Sequence, residues 1–334
     1  MLRAAFIFND VESKSARRRV LDHMDLFERE AVDVYPMTAP KGIRRRRKML
    51  KDLSAFDVTV LVKVLMTPVE LAFLRRGVRV LGFDLDDALF LSPRGLFETP
   101  AFLRRMELRG ITGAADFVTA GNLQLAGLAG AAAGKTLVIP TPVDAGRCVP
   151  AAERAPGPIR IGWTGSKATM TRLDAVLPAV ERVARLRPGV TLTVVADAAP
   201  PERDFLRHAR PAANPPAGNP PAGQVAEFDI ALAPLEESDG AGGGCFEILI
   251  YGACGVPTIA SPTAAAREMI AGGETGLFAS SGGQWQDALL ALVDNAGERR
   301  RLGAAARAKV LAEYSAEAVM PGWASALKRF AARR

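Results

Sequence analysis

Residues 228–261, FDIALAPLEESDGAGGGCFEILIYGACGVPTIAS, hold the densest set of groups able to grip an anion. An apolar run suited to a strand, Phe228–Ala233, leads into an acidic and then glycine-rich loop that ends at Gly242, Gly243 and Gly244. A short apolar helix is expected from Cys245, and a second strand, Val256–Ala260, follows Gly255. The free backbone N–H groups and the dipole at a helix N-terminus favour a phosphate or another anion. Glycines let the backbone close on such a group with no Cβ in the way. Taken without its neighbours, the same loop is an ordinary surface turn. A second group lies in FDLDDALF, residues 83–90, where Asp84, Asp86 and Asp87 follow an apolar run. Alternate strand residues share a face, so Asp84 and Asp86 would point the same way. Such a string could hold a metal, or could be an Asp N-cap followed by a solvated acidic turn.

These groups need elements to position them. In the first half, strands are expected at 4–8, 32–35, 58–64, 78–83, 117–119 and 136–139. Helical periodicity falls near 14–29, 42–53, 67–75, 100–112 and 122–132. That βαβα alternation implies a doubly wound parallel sheet. Pro140, Pro142 and Pro150 then punctuate the chain, and Ala151–Pro158 reads as a linker. The pattern restarts with a strand at 159–163, a loop at 164–167, an amphipathic helix near 169–186 and a strand at 191–196. Residues 198–224 are rich in Pro, Ala and Gly and break the rhythm. Helices near 282–294, 297–313 and 316–331 close the chain. The expected architecture is α/β, with two Rossmann-like domains facing across a cleft: residues 1–150 and 159–315, joined by 151–158. Ligands of such sheets sit beyond the carboxyl ends of the strands.

Composition narrows the chemistry. A chain of 334 residues, 49% hydrophobic and 24% charged, suits two buried cores. No run of 18 residues is free of Gly, Pro and charge, and the N-terminal segment reads as a first strand, not a signal peptide. Three cysteines, Cys148, Cys245 and Cys254, cannot all pair, and their spacing fits no zinc site. A reducing cytoplasm is the simplest location. With His23 and His208 as the only histidines, Ser-His-Asp chemistry is nearly excluded. The net charge of +7 is mostly arginine, densest at Arg17–Arg19 and Arg44–Lys48. The absence of interleaved aromatics argues against nucleic acid.

Five strings in order resemble the retaining glycosyltransferases of the two-Rossmann (GT-B) fold, group 1 or family 4: FDLDDALF (83–90), ADFVTAGN…VIPTPVD (115–144), IGWTGS (161–166), FDIALAPL (228–235), and YGACGVPTIAS with AAREMIAGGETGLFA (251–261, 265–279). The resemblance implies transfer of a sugar from a nucleotide donor with retained configuration and no cofactor or bound metal. The second domain would hold the donor and the first the acceptor, with the closing helix, 316–334, packed back on the first. Departure of a diphosphate needs fixed positive charge and N–H donors at its oxygens. Lys167, beside Gly165 and Ser166, is the expected cation, with Arg172 second, and Gly242, Gly243, Gly244 and Cys245 offering backbone. Asp84, Asp86 and Asp87 would meet the transferred sugar or acceptor, as hydroxyl binders or base. Asn9, Ser13 and Asn122 fall on the acceptor side and Ser261 on the donor side. N-capping explains Ser13 and Asn122 equally well. A basic, apolar helix at Arg44–Lys48 could touch an anionic membrane face.

The chain also departs from this family. Its Glu-x7-Glu pair falls here on Gly242 and Ile250, leaving Glu247 as the one carboxylate inside the helix. Trp163 stands where an arginine is usual. A non-catalytic partner of a glycosylation system is therefore the second expectation, and a nucleotide-sugar epimerase the third.

Overall fold

The computed structural model describes the whole chain except residues 41–47, 50, 88–100, 131–133, 152–156, 197–209, 212–221, 237–244 and 334. It contains two compact units. One comprises Met1–Pro142 with Ala316–Arg334, and the other takes the described residues from Val143 to Ser315. The boundary therefore falls at Pro142, ahead of the residue 150 expected from the proline spacing.

In the first unit, strands β1 (Leu2–Phe8), β2 (Val32–Thr38), β3 (Val58–Val62), β4 (Val80–Leu85), β5 (Phe117–Ala120) and β6 (Thr136–Val138) form one sheet. Their order is β2-β1-β3-β4-β5-β6, and every pair is parallel. Parallel strands buried on both faces should be continuously apolar, and β3 (VTVLV) is buried throughout. On one face lie Leu71, Leu74, Leu108, Ile111 and Leu125. The other is covered by Ala16, Val20 and Phe27 together with the closing helix, Ala316–Ala331, which contributes Met320, Trp323, Leu327 and Phe330. Phe330 stacks on Phe117 with ring centroids 4.7 Å apart. Pro36 sits within β2, where it costs no ladder bond on the free side of an edge strand. Strand β3 stops at Val62, two residues before the expected end, because Lys63 adopts a left-handed backbone with φ of 55°.

The second unit repeats the plan. Strands β7 (Arg160–Thr164), β8 (Thr191–Ala196), β9 (Arg210–Pro211), β10 (Ile230–Ala233), β11 (Thr258–Ala260) and β12 (Gly276–Phe278) run in the order β12-β11-β10-β7-β8-β9. Helix Met170–Leu186 buries Leu173, Val176, Leu177, Val180 and Val183 on one stripe, at the three- and four-residue spacing of an amphipathic helix. Four short elements are absent from the sequence reading: β9 and the helix Ala222–Val225, within and at the end of the stretch read as irregular, β12, and the helix Ala264–Met269, started by the Thr263 hydroxyl accepting from the Ala266 N–H. In both sheets the chain builds to one side of its first strand and then crosses to the other. The crossings open crevices at the carboxyl ends of β1 and β3 in one unit, and of β7 and β10 in the other.

Candidate functional site

The crevice between β7 and β10 contains a pocket lined by Trp163, Thr164, Gly165 and Arg172 on the β7 side and by Leu235, Glu247 and Tyr251 facing them. Its floor is built by a buried tyrosine. The Tyr251 hydroxyl accepts the Thr164 N–H at 2.8 Å and lies 2.8 Å from the Thr164 hydroxyl. Burial pushes this phenol well above its ordinary pKa, so it stays neutral and hydrogen-bonding. Gly165 is required at its place because a Cβ there would run into the Trp163 ring. The two strand ends are tied by Ser261, whose hydroxyl accepts the Leu235 N–H at 2.9 Å. Arg172 and Glu247 thus bring one charge of each sign to the pocket, a cation for phosphate oxygens and a carboxylate for hydroxyls. Glu247 also stands in the first turn of helix Phe246–Ala253, where a carboxylate suits the helix dipole by itself. Tyr251→Phe should lower unfolding free energy by about 1–3 kcal/mol, since it strands a buried N–H. Urea denaturation measures this, and an unchanged midpoint would show that Thr164 finds another acceptor.

In the first unit, the crevice beyond β1 and β3 is filled by charge. Arg19 and Asp84, both fully buried, form a fork: Nε to Oδ2 at 3.1 Å and Nη2 to Oδ1 at 2.5 Å. Thr119 donates to Asp84 Oδ1 at 2.7 Å, Arg19 Nη1 donates to the Ile139 carbonyl at 2.7 Å, and the guanidinium lies over Trp323. One helical turn earlier, Ser15 donates to Asp86 Oδ2 at 2.6 Å. Lys63 Nζ sits 3.0 Å from Asp86 Oδ1 and 2.6 Å from Asp87 Oδ2. Its carbonyl accepts the Asn9 side-chain amide at 3.0 Å. Burial pushes the Asp86 carboxyl up, but Lys63, then Arg19 and Ser15, outweigh it and hold it below the usual carboxylate range. For Asp87, burial and the charge of Asp86 outweigh the pull of Lys63, and its pKa is raised. Burial disfavours charge on Lys63 too, yet Asp86 and Asp87 raise it above the ordinary lysine value.

The sequence-derived residues divide accordingly. Gly165, Arg172 and Glu247 meet in the pocket. Lys167 does not line it: this exposed residue opens a 3-10 turn, Lys167–Thr169, which Ser166 starts by donating its N–H to Thr169 Oγ1. Among the described residues, the cation that lines the pocket is Arg172, the expected second. Cys245 is a buried N-cap residue with no side-chain capping bond, and it is not among the lining residues. Gly242, Gly243 and Gly244 lie outside the described residues, as do Arg44–Arg47 of the expected membrane helix. No helix among the described residues is long and apolar enough to cross a membrane. Asp84, expected at the transferred sugar or acceptor, has both its oxygens engaged by Arg19 and Thr119 inside the core. Asp86 and Asp87 sit nearer the surface, on Lys63. The metal alternative for this string finds its carboxylates already engaged by cations, and no metal-binding group of three such side chains occurs among the described residues. Ser13 and Asn122, expected on the acceptor side, act as N-caps, accepting from Ala16 N at 3.2 Å and Leu125 N at 2.7 Å. Arg19, Lys63, Thr164 and Tyr251 escaped the sequence reading. Only Arg19 lay in a segment singled out for its charge, and nothing there pointed inward.

Residues 238–324 match a family model described as "Glycosyl transferase-like". No curated protein matches the chain. Among solved structures, HepE of Anabaena in complex with UDP superposes with a TM-score of 0.68 at 14% identity, over 98% of this chain and 100% of that one. Sucrose-phosphate synthase of Thermosynechococcus elongatus gives 0.69 at 14% identity over 100% of both chains. A glycosyltransferase of Rickettsia africae gives 0.69 at 14% identity over 98% of both. The fold is GT-B, two Rossmann-like domains of parallel sheet, and the glycosyl transferase-like segment covers the end of the second domain and the start of the closing helix.

Proposed function

We propose that this chain is a glycosyltransferase that takes a nucleotide-diphosphate sugar in the β7–β10 pocket of its second domain and transfers the sugar with retention, without a metal. The observation that carries the reading is the pocket itself. It lies at the switch point where such sheets take ligands, and presents Arg172 and Glu247 beside a segment of glycosyl transferase-like sequence. Arg172 would hold diphosphate oxygens as the C1–O bond to the diphosphate breaks and the bond to the acceptor oxygen forms. Glu247 would accept from ribose or sugar hydroxyls. The HepE structure superposed here contains UDP, so uridine diphosphate is the first nucleotide to try. The acceptor would meet the first domain at Asp86 and Asp87. Titration calorimetry with UDP, ADP and GDP, with and without magnesium, tests the donor site. One diphosphate should bind in the micromolar range in EDTA, and Arg172→Ala should weaken it at least about tenfold, the loss of a charge-assisted hydrogen bond. Binding of no nucleotide would overturn the proposal.

One observation favours a non-catalytic relative instead. Ile250, in the place where the family's second glutamate is expected, is fully enclosed in the core of the second unit. It does not line the pocket. Binding of UDP-glucose with no hydrolysis and no transfer to any saccharide or lipid acceptor would select that reading.

A further inference from the structure

Cys148 and Cys254 stand far apart in sequence, yet both are packed into the same buried cluster of the second unit, close enough for their thiols to interact. Both are buried, with 0% and 2% of their surface exposed. Cys148 belongs to the segment 143–150, in which its neighbours Gly146, Arg147, Val149 and Pro150 are exposed, so it is the inward residue of an outward turn. Cys254 caps helix Phe246–Ala253 and directly precedes Gly255, whose φ is 70°. Its Sγ also reaches the Ala222 carbonyl at 3.7 Å. One guanidinium joins the two backbones: Arg307 Nη1 donates to the Cys148 carbonyl at 2.7 Å and to the carbonyl of Ala253. The start of the segment is fixed by Val143 N donating to the Tyr314 carbonyl at 2.8 Å. Two thiols are therefore held side by side by contacts from outside themselves.

We propose that Cys148 and Cys254 form an oxidisable dithiol, which a small disulfide oxidant such as glutathione disulfide converts to an intramolecular disulfide stapling segment 143–150 to the end of helix Phe246–Ala253. The Cys148 thiolate attacks one sulfur of the oxidant, forming a mixed disulfide and releasing one glutathione thiol. Cys254 then attacks the Cys148 sulfur and releases the second glutathione. Two thiol protons are lost and two electrons pass to the oxidant, which is reduced to two thiols. Cys148 is the first nucleophile on two grounds. Its turn is closed by long backbone bonds, Cys148 N to Ala145 O at 3.2 Å and Arg147 N to Asp144 O at 3.3 Å, between exposed neighbours, so it opens more readily than a helix end. The neighbouring Cys254 thiol and the charge of Arg307 hold its thiol below the ordinary cysteine value, against burial and Asp144, while Cys254 is pushed up. The staple would act on the candidate site, because the same short helix presents Glu247 and Tyr251 to the pocket.

The test treats the folded, full-length protein with glutathione disulfide, then alkylates it in denaturant and maps its peptides by mass spectrometry. Wild type and Cys245→Ser should each lose two alkylatable thiols, yield a Cys148–Cys254 cross-linked peptide that dithiothreitol removes, and show a raised thermal midpoint. Cys254→Ser should stop at a glutathione adduct on Cys148. Retention of all three thiols, a cross-link through Cys245, or a Cys148–Cys254 bridge that appears only once denaturant is added would each overturn the proposal. Peptide mapping of the wild type decides the matter even if a serine variant does not fold.

Discussion

Asp84→Asn should cost the protein about 3–5 kcal/mol of stability, the loss seen when one partner of a buried ion pair is removed. The carboxylate has no solvent exposure and accepts from Arg19 twice and from Thr119 once. Burial disfavours charge on Arg19, but the Coulomb attraction and hydrogen bonds of Asp84 raise its pKa. Neutralising the partner therefore leaves a guanidinium in the core with one carbonyl, one hydroxyl and the face of Trp323. A compensating pair, Asp84→Leu with Arg19→Met, should cost clearly less than the sum of the single changes, because neither charge is then orphaned. Equilibrium urea unfolding of the four proteins gives the coupling directly. Additive losses would mean that the two residues do not act as a pair.

That pair also marks where the sequence stopped being legible. The first sheet and the four central strands of the second could be placed from period and punctuation, since parallel strands such as VTVLV and the stripe of helix Met170–Leu186 announce themselves locally. Asp84 and Asp86 do reach the same helix, as strand alternation requires, Asp84 through Arg19 and Asp86 through Ser15. What alternation could not supply was depth. Asp84 lies inside β4 and Asp86 just past its end, and that step separates a fully enclosed carboxylate from one that keeps 12% of its side chain exposed. Proximity to a glycine loop favours Lys167 over Arg172 in the sequence. A 3-10 turn places Lys167 in the open and leaves Arg172, in the first turn of the following helix, lining the pocket. The role of Tyr251 carried no local signal because it is a long-range contact from helix Phe246–Ala253 to Thr164 at the end of β7. Arg19 was part of a basic run, and only the packed helix shows that its neighbours Arg17 and Arg18 remain half-buried while Arg19 turns inward.

Lys63→Met should be the second most damaging change, and unlike the first its effect should depend on pH. Lys63 holds Asp86 and Asp87 together at the end of β3, with 16% of its side chain exposed. Methionine keeps most of the apolar stem but removes the charge, so at neutral pH the variant should lose about 3 kcal/mol, the low end for breaking a buried pair. The folded protein holds Asp86 below its ordinary value, so that group contributes stability above the ordinary value and loses it as pH falls through the lowered one. Lys63 is raised, so its contribution is complete below 10.5 and is lost as pH rises through the folded value. The difference between wild type and Lys63→Met should therefore be flat near neutrality, shrink below about pH 4 as the carboxylates protonate, and shrink again in strong alkali. Asp87 has the opposite sign. Its raised carboxyl costs the fold stability as pH climbs from the ordinary value through the raised one, so Asp87→Asn should be neutral or slightly stabilising at pH 7. Urea midpoints of the three proteins from pH 3 to pH 9 separate these cases. A Lys63→Met deficit that stayed constant across that range would mean that the lysine stem, not its charge, supports the site, and Asp86 and Asp87 would then need another account of how two carboxylates share one crevice.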